Sequence, residues 1–444
     1  MKHSISFPVT DFQTCKIKML NWVNRFSIFC FLDNRQYDFS EPAFECLLAA
    51  GAVKTVVADA GTAFDQLRQF YEANKGEWLF GHLGYDLKNE TEALQSRHPD
   101  RSGFRDLAFF IPEYVIRLEE EKISLYGQGN LEDIYRQIDE SPATLSETND
   151  AALPVIHHRI SEHDYLAAVS ALRQHILRGD CYEINFCQEF YAEDVRIDPL
   201  IVFDKLAAIS PNPFSAYYRF DDQYCVCASP ERYLQKKGNR ICSQPIKGTS
   251  RRQLADAIAD DTAKRYLAES AKEKSENVMV VDLVRNDLSR VCRPGSVTVD
   301  ELFGIYSFPQ VHQMISTVSG ELAEGYDWID CIKATFPMGS MTGAPKKKVM
   351  ELIDGYEQSR RGLFSGSIGY VNPSGDFDFN VVIRSLFYNA ATRYLSFQTG
   401  GGITYNSKPE DEYAESLLKG EAMMQILGAQ VNPFSSSNFW EPGK

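Results

Sequence analysis

Leu166, Val169, Leu172 and Ile176 recur at the three-to-four-residue spacing of one helix face, between Ser161 and Gly179. Ser161, with Asp164 three residues on, is a helix start signal and Gly179 a stop signal, so the pattern predicts a helix across this stretch. The period then changes. YEINFCQEF (182–190), QYCVCAS (223–229) and RICSQPI (240–246) are short, partly alternating runs separated by tight turns. They predict strands of a mostly antiparallel sheet. One long helix is predicted from about Asp261 to Leu288, and another starting near Pro409. Between them SIGYVN (367–372), FNVVIRSLFY (379–388) and YLSFQTGGGI (394–403) read as three further strands.

Helices and strands come in blocks rather than in strict alternation. That predicts an α+β fold of layered, mostly antiparallel sheets flanked by helices, not a doubly wound sheet. The polar stretch DESPATLSETNDAA (139–152) has no apolar period and reads as a linker. It divides the chain into an N-terminal α+β region (1–150), a main domain (151–430) and a C-terminal tail (431–444).

Composition narrows the function classes. The 444 residues are 44% hydrophobic and 24% charged, which is ordinary for a globular protein with a sizeable core. A net charge of −15 works against nucleic-acid phosphates, so an anionic ligand needs a local cluster of donors. No apolar run approaches the ~18 residues of a membrane span, and MKHSISFPVTDFQTCK lacks the apolar centre of a leader. A soluble, cytoplasmic protein is expected, with neither nucleic acid nor membrane as partner. The ten cysteines include no metal-type CxxC pair and predict reduced, buried thiols, with Cys225 and Cys227 on one strand face.

QPIKGTSRR (244–252) sets Lys247 between Ile246 and Gly248. A three-residue loop Gly238-Asn239-Arg240 places Glu231 directly opposite Lys247 on a hairpin, with Cβ atoms ~4.5–5.5 Å apart. Such a pair is either a cross-strand ion pair or a nucleophile beside an acid/base. An ordinary lysine titrates near ~10.4, so nucleophilic work requires a lowered pKa or a base to take its proton. GSMTGAPKKK (339–348) fails as a phosphate loop, because Ala344 and Pro345 separate Gly343 from Lys346. It reads as a turn before a helix, and Thr342 with that helix N-terminus is either a structural cap or an anion site. The glycines Gly400, Gly401 and Gly402 are a flexible turn or an oxyanion cradle. Arg384 follows an apolar run and needs an acidic partner, either a side chain or a substrate carboxylate. Glu273 with Glu276, and Glu412 with Glu415, are i,i+3 pairs on helix faces. They are solvated charges or oxygen ligands for magnesium.

GDCYEINF, ASPERY, QPIKGT, SENVMVVDLVRNDLSRV, VHQMISTVSG, FPMGSMTGAPK, RGLFSGSIGYV, VIRS, TGGGI and PEDEYAESLLK together resemble the chorismate-utilising enzyme family. That family includes anthranilate, aminodeoxychorismate, isochorismate and salicylate synthases. The blocks stand in family order across about 161–427, and the N-terminal third matches more loosely, mainly through FGHLGYDLKNE. The resemblance implies chorismate as substrate and a magnesium cofactor. A lysine in PIKGT resembles the aminodeoxychorismate synthase branch, where it is the nucleophile; anthranilate synthases usually carry alanine there. The branch converts chorismate and ammonia to 4-amino-4-deoxychorismate, toward p-aminobenzoate and folate. By the same carry-over Glu231 is the general acid/base, and Glu276 and Glu415 lead the magnesium ligands with Glu273 and Glu412 near them. Arg384, the backbone of Gly400, Gly401 and Gly402, and Thr342 hold substrate carboxylates, with help from Thr249. His312 lies near the reacting ring. Anthranilate synthase and a non-catalytic chorismate- or tryptophan-binding regulator are the alternatives.

Two positions depart from the family pattern. Glu183 stands where amine-adding members usually have glutamine, and Phe364 where a tyrosine often contacts the carboxylate. Some relatives bind tryptophan between an N-terminal strand and a loop that Pro213, Phe214 and Ser215 match; FLDNRQYDF (31–39) matches the strand half poorly. None of the ten cysteines sits in the GxCxG-type turn of a glutamine amidotransferase. Ammonia is therefore expected from a separate glutamine amidotransferase subunit.

Overall fold

Cys225 and Cys227 point to one side of their strand and Val226 to the other, and each side is buried in a different core. This alternation holds along the sheet in the computed structural model, which describes residues 3–37, 44–146, 153–308 and 311–428. Among these residues the strands form a 12-stranded and a 10-stranded sheet. The strand pairings are antiparallel, as the short alternating runs predict. The core shared by the two sheets holds Leu47, Ala216, Cys225 and Cys227 from one and Phe80, Leu234, Phe377 and Phe379 from the other. Behind the larger sheet, Phe31, Tyr217 and Val226 pack with Leu20, Phe203 and Met423 from helices Phe12–Val23, Pro199–Ile209 and Pro409–Ile426. The result is a layered α+β architecture.

Both sheets draw on both ends of the sequence. The strand Ile28–Asp33 pairs with Phe214–Phe220 in the larger sheet, and Leu79–Leu83 pairs with Ser367–Val371 in the smaller. The division at residue 150 is thus one of sequence; in space the first 150 residues are woven into the same sheets as the rest. Part of the linker, 147–152, and the C-terminal tail lie outside the described residues.

Three expectations change. The long helix is two, Ala257–Glu269 and Ala271–Ser289. Ser270, with extended ψ of 111°, ends the first and caps the second by accepting from Glu273 N. FNVVIRSLFY is two strands, Phe377–Asn380 and Ser385–Asn389, in different sheets. The hairpin after Arg232 turns through two residues, since Lys237 pairs with Arg240. A bulge then sets Arg232 opposite Gln244, where that strand ends, so Glu231 and Lys247 are not a directly opposed pair.

The helix Glu162–Leu177 forms as expected, with Ser161 Oγ accepting from Asp164 N at 3.1 Å. Its fully buried positions are Tyr165, Ala168, Val169 and Leu172, while Leu166 and Ile176 are half-buried at the edge of the stripe. Ser161→Ala is expected to cost about 1 kcal/mol of stability, measurable as a lower urea midpoint with an unchanged slope.

Candidate active site

A strand that leaves one sheet for another must give up its ladder partners at the switch. The path Gln223–Ser229 lies in the larger sheet and Arg232–Lys237 in the smaller, so Pro230 and Glu231 form one switch. Residues 381–384, between Phe377–Asn380 and Ser385–Asn389, form a second. The two satisfy each other: Val381 N donates to Glu231 O at 3.0 Å and Ala228 N to Arg384 O at 3.2 Å. Glu231 and Arg384, distant in sequence, therefore share one locus between the sheets. Arg384 has φ 51°, in the left-handed region that non-glycine residues avoid and functional sites often retain. No acidic partner for its guanidinium exists among the described residues, and burial lowers its pKa. Glu231 is 4% exposed, and burial pushes its carboxyl up to about 7, against the opposing pull of the Lys247 charge.

Lys247 reaches this locus through a bulge. The strand Ile246–Arg251 pairs with Val311–Glu321, with Ile246 opposite Ile315 and Thr249 opposite Gln313. Lys247 and Gly248 thus face one residue, Met314, and Gly248 takes φ 88°. Bulges of this kind re-aim a side chain beside active sites. A Cβ on Gly248 would come within 2.9 Å of Glu273 Oε2. Lys247 Nζ donates to Glu183 Oε1 at 2.5 Å, with side-chain exposures of only 10% and 3%. Burial works to lower the Lys247 pKa, but Glu183, Glu276 and Glu231 outweigh it and hold the ammonium form beyond its ordinary range. Glu183 Oε2 is buried without a hydrogen-bond partner.

The triple glycine passes where side chains do not fit. On the strand Tyr394–Ile403, Gly400, Gly401 and Gly402 pair with Cys187, Phe186 and Asn185. A Cβ on Gly400 would lie 2.1 Å from Phe186 O. One on Gly402 would lie 2.4 Å from Glu183 Oε1 and 3.0 Å from Lys247 Nζ. One on Gly401 would meet Glu412 Oε2 at 3.2 Å and Glu415 Oε1 at 3.6 Å. The run is a thin wall between the lysine and the last helix.

Glu273 and Glu276 start the helix that Ser270 caps, and Glu412 and Glu415 start the helix whose first residue is Pro409. The four carboxylates feel one another. Burial, with Glu183 and Glu273 adding repulsion, pushes Glu276 up to about 7. Burial also raises Glu273 and Glu412, while Lys419 lowers Glu415 through a 2.7 Å ion pair. Lys272 lies 3.9 Å from Glu276, and Lys419 also donates to Gly400 O. Among the described residues no group of three or more His, Cys, Asp or Glu side chains is placed to hold a metal ion. The donors are all carboxylate oxygens, and Glu276 Oε1 is buried without a hydrogen-bond partner. Carboxylate oxygens are the donor type magnesium takes, through one or two carboxylates while it keeps waters and substrate oxygens.

The other named residues lie apart from this centre or are already engaged. His312 is buried, with Nδ1 on Ser307 Oγ at 2.8 Å and Nε2 on Asp260 Oδ1 at 3.2 Å. Thr249 is exposed past the bulge. Thr342 is buried, and its hydroxyl donates to Met338 O and Gly339 O within the turn before the helix Lys346–Tyr356. Phe364 sits in the inter-sheet core. Pro213, Phe214 and Ser215 do meet Asp33 and Asn34, around a cavity of ≈ 40 Å³. Asp33 in its wall is already paired with Lys16 and Arg35. Lys272 and Lys419 were not singled out from sequence; the signal was their i,i+4 spacing to Glu276 and Glu415.

A family profile described as chorismate binding enzyme matches residues 29–425. The chain belongs to the chorismate binding enzyme family. Within it, the aminodeoxychorismate synthase component 1 of Bacillus subtilis is 38% identical over 362 residues, covering 78% of this chain and 76% of that one. The protein of the same name from Klebsiella aerogenes is 36% identical over 353 residues, with the same coverage of each. Anthranilate synthase component 1 of Cereibacter sphaeroides is 32% identical over 365 residues, 78% of this chain and 72% of that one. In three dimensions, anthranilate synthase component I from Streptococcus pneumoniae superimposes with a TM-score of 0.73 at 27% identity, over 88% of this chain and 94% of that one. The menaquinone-specific isochorismate synthase of Escherichia coli shares the fold, with a TM-score of 0.75 at 16% identity over 96% and 95% of the two chains. Among the described residues no helix is long and apolar enough to cross a membrane.

The buried acid cluster makes a thermodynamic demand. Glu276 has a folded pKa of about 7 against an ordinary 4.5. Below the ordinary value both folded and unfolded forms are protonated and the site costs nothing. Between the two values the unfolded chain ionises first, so stability falls as pH rises. In metal-free buffer, Glu276→Gln is expected to match the wild type at pH about 4 and exceed it at pH about 8 by on the order of 2–3 kcal/mol, measured by urea unfolding.

Proposed function

We propose that this chain is component I of an aminodeoxychorismate synthase, converting chorismate and ammonia to 4-amino-4-deoxychorismate. The observation that carries the reading is Lys247, re-aimed by its bulge into a buried site with Glu231 and Glu183. The relatives named aminodeoxychorismate synthase component 1 support it. Arg384, with no acidic partner among the described residues, and the backbone of Gly400, Gly401 and Gly402 receive the substrate carboxylates. Thr342 orders the adjoining turn. Glu231, protonated up to a pH of about 7, gives its proton to the departing C4 hydroxyl. Lys247 attacks C2 as that hydroxyl leaves as water, forming a covalent amine adduct. Ammonia then bonds to C4 and expels Lys247. Magnesium held by Glu276 and Glu415, with Glu273 and Glu412 beside them, supplies charge neutralisation for the substrate's carboxylates.

Ammonia comes from a separate glutamine amidotransferase subunit; the designation component 1 among the relatives supports a second component. The compartment is the cytoplasm, a reading supported by ten cysteines of which all are free. The pathway is that of p-aminobenzoate and folate.

Intact-mass measurement after mixing with chorismate and magnesium, without ammonia, is expected to show chorismate minus one water on the wild type and none on Lys247→Ala. An unchanged product rate in Lys247→Ala rejects the nucleophile. Fluorescent anthranilate among the products turns the reading to anthranilate synthase. Arg384→Ala is expected to raise the KM for chorismate about 10- to 100-fold, the loss of one charged hydrogen-bonding partner. The pure chain is expected to use ammonium salts at raised pH and to ignore glutamine; glutamine-dependent turnover rejects the two-chain arrangement.

A further inference from the structure

The strand Glu183–Ala192 carries the glycine wall along one edge. Its other edge pairs with Gly343 and Ala344 at residues 183–184, and with His157 and His158 at residues 190–191. Between those two pairings, among the described residues, no strand lies against it, although residues 185–189 are buried. Buried backbone groups need partners, and here two side chains stand in for a strand. Arg361 Nη2 donates to Asn185 O at 2.8 Å, and Cys187 N donates to Glu357 Oε1 at 2.9 Å.

Arg361 and Glu357 are 4% and 3% exposed. A guanidinium offers five N–H donors in a rigid fork, and this one makes five hydrogen bonds. Nε and Nη2 donate to the two oxygens of Glu357, at 3.0 and 2.6 Å. Nη1 donates to Met341 O at 2.7 Å and to Ser365 Oγ at 3.3 Å. The fifth bond is the one to Asn185 O. The Arg361 guanidinium carbon lies 4.5 Å from the centre of the Tyr85 ring, and Tyr85 N donates to Gly362 O at 2.7 Å. The N-terminal FGHLGYDLKNE block therefore covers the arginine.

The acceptors outside the ion pair belong to three segments that carry the proposed substrate-binding groups. Asn185 pairs with Gly402, and Cys187 with Gly400. Met341 precedes Thr342, whose carbonyl accepts from Asn185 N at 2.8 Å. Ser365 N donates to Val382 O at 2.9 Å, inside the passage that ends at Arg384. One cation thus joins the wall, the turn and the passage. For stability alone an ion pair this deep is a poor choice, because apolar residues of similar volume often do as well or better. What a rigid fork adds is a set distance between its acceptors.

We propose that Arg361, held by Glu357, is a positioning residue that sets the spacing of the triple-glycine wall, the Thr342 turn and the Arg384 passage. This rests on the reading that these segments receive the substrate's carboxylates. With its donors engaged, Arg361 acts through the groups it spaces. A displacement of about 1 Å among such groups is enough to lose tight binding of a rigid dianion. The nucleophile is less exposed to it. Lys247 is held by Glu183, which keeps its own ladder pairing with Ala344. The effect therefore falls on substrate binding before it falls on the chemical step.

The test uses two full-length variants assayed with chorismate, magnesium and ammonium. Arg361→Lys keeps the charge beside Glu357 but has three donors on a flexible stem instead of the fork. Glu357→Gln keeps an acceptor for Cys187 N and removes the charge that holds the arginine. Arg361→Lys is expected to raise the KM for chorismate about 10- to 100-fold with kcat within about threefold, and Glu357→Gln to raise KM at least about fivefold. A purely structural role predicts something else: a smaller folded fraction, read by urea unfolding, lowers the apparent kcat and leaves KM in place. A KM within about threefold of the wild type in Arg361→Lys overturns the inference. If that variant does not fold, the same reading on Glu357→Gln decides. Arg384→Ala separates the layers. If it raises KM while the two variants do not, the positioning role alone fails; if it leaves KM unchanged, the assignment of the carboxylate-binding segments fails first.

Discussion

A chain that passes from one sheet to another must interrupt its ladder, and the backbone groups freed there need partners. Here two such passages, at Pro230–Glu231 and at residues 381–384, supply each other's hydrogen bonds. That mutual satisfaction puts a carboxyl and a guanidinium where the two sheets part. Everything else in the site is arranged around this seam. The lysine strand bulges toward it, and the triple-glycine strand thins to admit the Glu183–Lys247 contact. The two acid-bearing helices present their first turns nearby.

The electrostatics follow from the same burial. Desolvation raises carboxyl groups and lowers ammonium groups, while opposite charges do the reverse. Glu231 and Glu276 feel mostly desolvation and rise to about 7. Lys247 feels several carboxylates at once, and their sum overrides its burial. Arg384 feels burial alone. The site is thus held in tension, with acids crowded enough to favour their protonated forms, and a guanidinium with no acidic partner among the described residues. On the function proposed here, a dianionic substrate and a cation would relieve both imbalances together.

Much of this was legible in residue order. QYCVCAS and YLSFQTGGGI are strands over the residues their alternation marked, and the last helix begins at Pro409. The ordered blocks from GDCYEINF to PEDEYAESLLK carried the family. Glu183 stood out as a departure, though nothing in YEINFCQEF says what a glutamate there would touch. Its partner lies on another strand of another sheet. His312 shows the converse: it lies in a recognisable block, yet its Nε2 is engaged by Asp260, 52 positions back, which no local pattern names.

By itself the sequence determined the periods, the caps and the run of small residues. Those depend on neighbours within a few positions, and hydrophobic spacing records them directly. Only tertiary structure decided where FNVVIRSLFY changes sheets and where one helix becomes two at Ser270. It also decided that a two-residue turn and a bulge set the register of Lys247. A one-residue difference in a turn moves every side chain beyond it to the opposite face. The choice is made by which partner strand satisfies the backbone and buries the apolar face, and that partner is far away in the chain.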